Sequence, residues 1–78
     1  MSELNGANLV VENDVDCHVG ARIRARRVEL SMSQTVVADR LGLTFQQVQK
    51  YERGYNRVSA SRLYDLTEIL DVDIAYFF

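Results

Sequence analysis

One stretch of the 78-residue chain, Ser33 to Gly54 (SQTVVADRLGLTFQQVQKYERG), narrows the available folds more than any other. Ser33 offers a hydroxyl that can accept from backbone N–H groups left unpaired in the first turn of a helix. Val37, Ala38 and Leu41 then fall at helical spacing on one face. Gly42 follows the last apolar position, where a left-handed C-cap favours a residue without Cβ. Thr44 caps a second helix in which Val48 and Tyr51 point inward, with Leu43 beneath the turn and Gly54 closing the unit. Two caps, two glycines and a three-residue gap predict a helix-turn-helix motif.

The flanking sequence divides around this motif. Residues 1–15 (MSELNGANLVVENDV) have no helical period and contain Asn, Gly and acids, so a flexible acidic arm is expected. The Leu9-Val10-Val11 run within it could also pair as a short strand with another chain. Asp16 is expected to cap a first helix from Cys17 to Leu30, with Val19, Ile23 and Leu30 inward and Arg26 and Arg27 beside that stripe. After a loop over Tyr55–Val58, Ser59 caps Ala60–Leu70, where Leu63, Leu66, Ile69 and Leu70 step by three and four. Asp73 caps a last short helix, Ile74–Phe78. The expectation is an all-α, compact five-helix domain over residues 16–78. At this size it is one domain, near the lower limit for a self-sufficient core.

The segments SQTVVA (Ser33–Ala38), LGLTFQQVQKYERG (Leu41–Gly54) and NRVSASRL (Asn56–Leu63) resemble the phage-repressor-like (Xre/Cro-type) helix-turn-helix DNA-binding domains. The resemblance runs from about Val19 to Phe78. It implies that the second motif helix, residues 45–53, enters the DNA major groove. It also implies a phosphate contact from Gln34 at the start of helix two, and an ion pair between Arg27 and Glu52. The alternative is two unrelated surface charges, and the pair is favoured because the neighbours Ile23 and Tyr51 point into the core. The chain departs from the commoner family pattern at Arg26, where leucine is frequent, and at Ser31, where glycine usually ends helix one.

Net charge is −2, but its distribution favours DNA. Residues 17–62 carry all nine basic residues against three acidic ones, a net of +6, between ends that carry four acids each and no base. A basic block suits a DNA-facing surface, although solvated helix faces would give the same count. On the recognition helix, Phe45, Gln46, Gln47, Gln49 and Lys50 are the expected base readers. Glutamine can pair bidentately with adenine, lysine can donate to guanine, and Phe45 can pack on a thymine methyl. The bland alternative for such a face is solubility. Thr44, Arg53, Asn56 and Arg57, with Gln34, are the expected phosphate contacts. Tyr76 and Phe78 are expected to face outward as a homodimer interface, the alternative being loose aromatic packing at a frayed end.

Chemistry of other kinds finds no foothold. His18 stands alone, without the paired His/Cys spacing of a metal site or the partners of a catalytic triad. Cys17 is the single cysteine, which excludes an internal disulfide and fits a reducing, cytoplasmic setting. The four glycines form no phosphate loop, and no apolar run is long enough for a membrane span. Neither an enzyme, a cofactor, a metal nor a small-molecule ligand is expected. The leading reading is a transcriptional regulator, a repressor in preference to an activator, binding double-stranded DNA at a pseudo-palindromic operator. The rival is an antitoxin or adaptor that uses the same fold to bind a partner protein.

Overall fold

Four α-helices and one closing 3-10 turn follow one another in the computed structural model, which describes residues 13–78. They are α1 (Asp14–Glu29), α2 (Gln34–Leu41), α3 (Phe45–Glu52), α4 (Ala60–Leu70) and the turn Ile74–Phe77. The expected fifth helix is therefore a single 3-10 turn. Four residues can close only one turn, and Asp73, placed as its N-cap, makes no side-chain capping bond.

Helix one also begins earlier than expected. Asn13, not Asp16, is its N-cap, and Asn13 Oδ1 accepts from the backbone N–H of Val15 at 2.8 Å and of Asp16 at 3.3 Å. Asp14 and Asp16 then lie in the first turn, where negative charge complements the helix dipole. The remainder of the expected arm, with its Leu9-Val10-Val11 run, lies outside the described residues. At the other end α1 stops at Glu29, and Ser31 turns the chain with a left-handed φ of 58°.

The other caps follow from residue type. The hydroxyls of Ser33, Thr44 and Ser59 accept from the N–H groups of Val36, Gln47 and Arg62 respectively. Gly42, at φ 72°, ends α2 in the left-handed conformation that its missing Cβ permits. Between the helices lies one core: Val19 and Ile23 from α1, Val37, Ala38 and Leu41 from α2, Val48 and Tyr51 from α3, then Val58, Leu66, Leu70 and Phe77. Leu63 and Ile69, from the α4 stripe, are only partly buried at its edge.

Glycine lets α1 and α3 approach closely. A Cβ on Gly20 would collide with the carbonyl oxygen of Tyr51 and lie 2.7 Å from that of Glu52. The loop after α3 is seated in a similar way. Gly54 combines a φ of 76° with a position where a Cβ would meet Cys17 Sγ at 2.7 Å.

Arginines of α1 hold the C-terminal part in place. Arg26 Nε donates to the Leu70 carbonyl at 2.8 Å, and Arg22 Nε donates to the Tyr76 carbonyl at 2.7 Å. The Arg22 guanidinium also lies 3.9 Å from the centre of the Tyr76 ring, and the Tyr76 hydroxyl donates to the Arg22 carbonyl. Tyr76 is thus folded against α1 rather than facing outward. Phe77 is fully buried, whereas Ile74 is 45% exposed.

A candidate nucleic-acid interface

α3 is anchored from behind, so its outer surface is presented in a fixed orientation. Val48, Tyr51 and Glu52 are buried, and Arg27 reaches Glu52 through two parallel bonds, Nε to Oε2 at 2.6 Å and Nη2 to Oε1 at 3.0 Å. The third arm of that guanidinium donates to the Met32 carbonyl at 3.0 Å. A forked arginine with each of its three nitrogens donating is the geometry in which a buried pair is tolerated. The structure therefore brings together two residues that lie 25 positions apart in the chain.

The five expected base readers do not share one environment. Phe45, Gln46 and Lys50 are exposed. Gln47 is half-buried on one flank, where its Nε2 donates to Asn56 Oδ1 at 3.0 Å and ties the recognition helix to the following loop. Gln49 is half-buried on the opposite flank and lines a cleft toward α1. Helical spacing alone put all five outside; the loop after α3 and the neighbouring helix cover the two flanks.

Among the expected phosphate contacts, Gln34 sits at the first position of α2 and donates from Nε2 to Glu52 Oε1 at 3.0 Å. The amide keeps its other N–H and its carbonyl oxygen for a further contact. Thr44 uses its oxygen as an acceptor for the Gln47 N–H, leaving its O–H able to donate. Arg53 is exposed at the C-cap of α3 and lines the same cleft as Gln34 and Gln49. Asn56 spends its carbonyl on Gln47 and its amide on the Tyr55 carbonyl. Arg57 extends into solvent, its Nε 3.3 Å from Asp16 Oδ2.

The cleft holds about 470 Å³ between α1 and α3, with Arg24 and Arg53 at its rim and the Arg27–Glu52 pair on its floor. Sequence reasoning overlooked Arg24, because it lies outside the motif. Its signal was its place three residues before Arg27, on the same face of α1. Among the described residues no cluster of His, Cys, Asp or Glu could hold a metal, and no helix is long and apolar enough to cross a membrane.

Two short helices with this turn, the second projecting polar side chains from a core-anchored back, define a helix-turn-helix DNA-binding fold. The family model described as Helix-turn-helix matches residues 23–77, and the chain belongs to that family in its Xre/Cro-type form. It is a family of DNA-binding transcriptional regulators rather than of enzymes. The chain is 56% identical over 66 residues to an uncharacterised HTH-type transcriptional regulator of Sinorhizobium medicae, covering 85% of this chain and 48% of that protein. It is 59% identical over 64 residues to an uncharacterised transcriptional regulator in the ATPase CF(0) region of Rhodospirillum rubrum, covering 82% and 59% of the two. It thus spans about half the length of the curated relatives it matches. Among solved structures, the restriction-modification controller protein C.AhdI from Aeromonas hydrophila aligns with a TM-score of 0.76 at 31% identity, over 83% of this chain and 97% of that one.

Proposed function

We propose that the chain is a cytoplasmic, sequence-specific transcriptional repressor that binds a pseudo-palindromic operator as a homodimer, with α3 in the major groove. The observation that carries this reading is the pairing of an exposed Phe45, Gln46 and Lys50 with a buried Glu52 on the same helix. One face is free to meet base edges while the other is locked to α1. Gln46 and Lys50 stand one turn apart and reach the groove floor together. Phe45 covers a thymine methyl. Gln34, Thr44, Arg53 and Arg57 hold the backbone, and Gln47 with Asn56 stiffens the loop that carries Arg57.

A second copy docks on the apolar patch formed by Val15 and Phe78, which are 56% and 65% exposed and line one shallow groove together with His18. Two-fold pairing places the two recognition helices ~34 Å apart, about one DNA turn. Likeness to regulators of known family, including a restriction-modification controller, supports this reading. Selection of bound sequences from a random DNA pool, followed by titration across salt concentrations, tests it. The expected product is an inverted repeat whose affinity falls as salt rises. A chain that binds no duplex at low salt would instead use the fold as a protein-interaction module.

A further inference from the structure

We infer that Arg24, on α1 and outside the motif, grips a backbone phosphate together with Arg53 across the cleft between α1 and α3. This rests on the DNA-binding reading above. The cleft brings three guanidinium groups, those of Arg24, Arg27 and Arg53, around a single carboxylate, that of Glu52. Glu52 already accepts three hydrogen bonds, two from the fork of Arg27 and one from the amide of Gln34. Arg26, Arg57 and Arg62 each have a carboxylate within 4.0 Å, but Arg24 and Arg53 have none among the described residues. Two like charges at the rim of one cavity repel each other, and an anion between them removes that repulsion.

Geometry then selects the anion. Arg24 lies one turn before Arg27 on α1, and Gln49 lies one turn before Glu52 on α3, so both line the cleft beside the ion pair. The helices bearing them are held at close approach by Gly20, which fixes the width of the cleft. Ser33 and Gln34, at the start of α2, complete the polar wall. The cleft flanks the face that carries Gln46 and Lys50. A duplex whose major groove receives α3 brings the phosphates bordering that groove to the cleft. The ligand is therefore a phosphodiester of bound DNA, and Arg24 adds affinity without reading sequence.

The test uses the whole chain and the duplex selected from the random pool. A contact with one phosphate contributes a slope of about 0.9 in log K against log salt, which amounts to roughly eightfold in affinity at ~0.1 M salt relative to 1 M. Arg24→Ala should lose about that much on the selected and the scrambled duplex alike, and its salt slope should fall by ~0.9. Arg24→Lys should keep the slope. Replacing the phosphates one at a time by neutral methylphosphonates should reveal one position where Arg24→Ala loses clearly less than the unsubstituted protein, the remainder being the contact that Arg53 keeps. If Arg24→Ala binds with the original affinity and slope, or if its loss simply adds to that of every methylphosphonate, the assignment is wrong. Loss of base preference in Gln46→Ala under the same conditions would then leave the DNA-binding reading intact. Absence of binding by the unsubstituted chain would remove both.

Discussion

Gln34 Nε2 donates to Glu52 Oε1 at 3.0 Å, joining the first residue of α2 to the last residue of α3. Arg27 holds the same carboxylate from α1, so three helices meet at one side chain. The group proposed to meet the DNA backbone and the helix proposed to meet the bases therefore share an anchor. Displacing Glu52 would disturb the fold and the interface at once.

The energetic weight of that anchor follows from its burial. The Glu52 side chain is 3% exposed and that of Arg27 11%, so removing one partner strands the other's charge away from water. Urea melts of Arg27→Ala and of Glu52→Ala should each show a loss of about 3–5 kcal/mol. This is a large share of the roughly 5–15 kcal/mol available to a domain. A loss below ~1 kcal/mol, the range of exposed pairs, would place the pair effectively in solvent.

Gly20 should tolerate no side chain. The group that a Cβ would strike is backbone, which cannot swing aside as a flexible side chain can. Gly20→Ala should therefore force α1 away from α3, at a cost of about 3 kcal/mol or more. Thermal melting measures the loss. An alanine variant as stable as the parent would mean that the two helices are not in the close contact described.

Ser31 offers the opposite case. Its φ of 58° crowds a Cβ against the neighbouring carbonyl, a strain of roughly 1–2 kcal/mol that glycine avoids. Part of that gain is offset by the extra freedom of glycine in the unfolded chain. Ser31→Gly should raise stability by about 0.5–1 kcal/mol in urea, and an unchanged midpoint would show the turn to be unstrained.

These residues mark what could and could not be read from the chain alone. The motif helices were legible because their caps and apolar steps are local: Ser33, Gly42, Thr44, Val37 and Val48 act within one or two turns. The last element was harder, because the choice between an α-helix and a 3-10 turn at Ile74–Phe77 depends on what Tyr76 packs against. That partner is Arg22, 54 positions away. Arg26 gave no periodic signal either, since its function is to donate to the carbonyls that end α4. Gly20 looked like any helical glycine until α3 lay against it. The flanks of α3 depended on neighbours too, and so the burial of Gln47 and Gln49 was not visible in their spacing.

Phe78 should control association. With Tyr76 folded onto α1, the exposed aromatic ring at this end is that of Phe78, beside Val15. A carboxylate there would have to be buried by a second copy at a cost of several kcal/mol. Sedimentation of Phe78→Asp should show a monomer while the helical signal persists. A persisting dimer would locate the interface elsewhere.

If α3 reads bases, Gln46 is the side chain at which the effect on base preference is seen. A good bidentate contact supplies about 1–3 kcal/mol of discrimination between bases. Binding isotherms of Gln46→Ala on the selected operator and on scrambled DNA, at two salt concentrations, should show a strong loss on the operator and almost none on the scrambled duplex. Arg57→Ala, run beside it, should weaken both equally and reduce the salt slope by about one. Should Gln46→Ala lower both affinities by the same factor, α3 does not read sequence in this register and the account is contradicted.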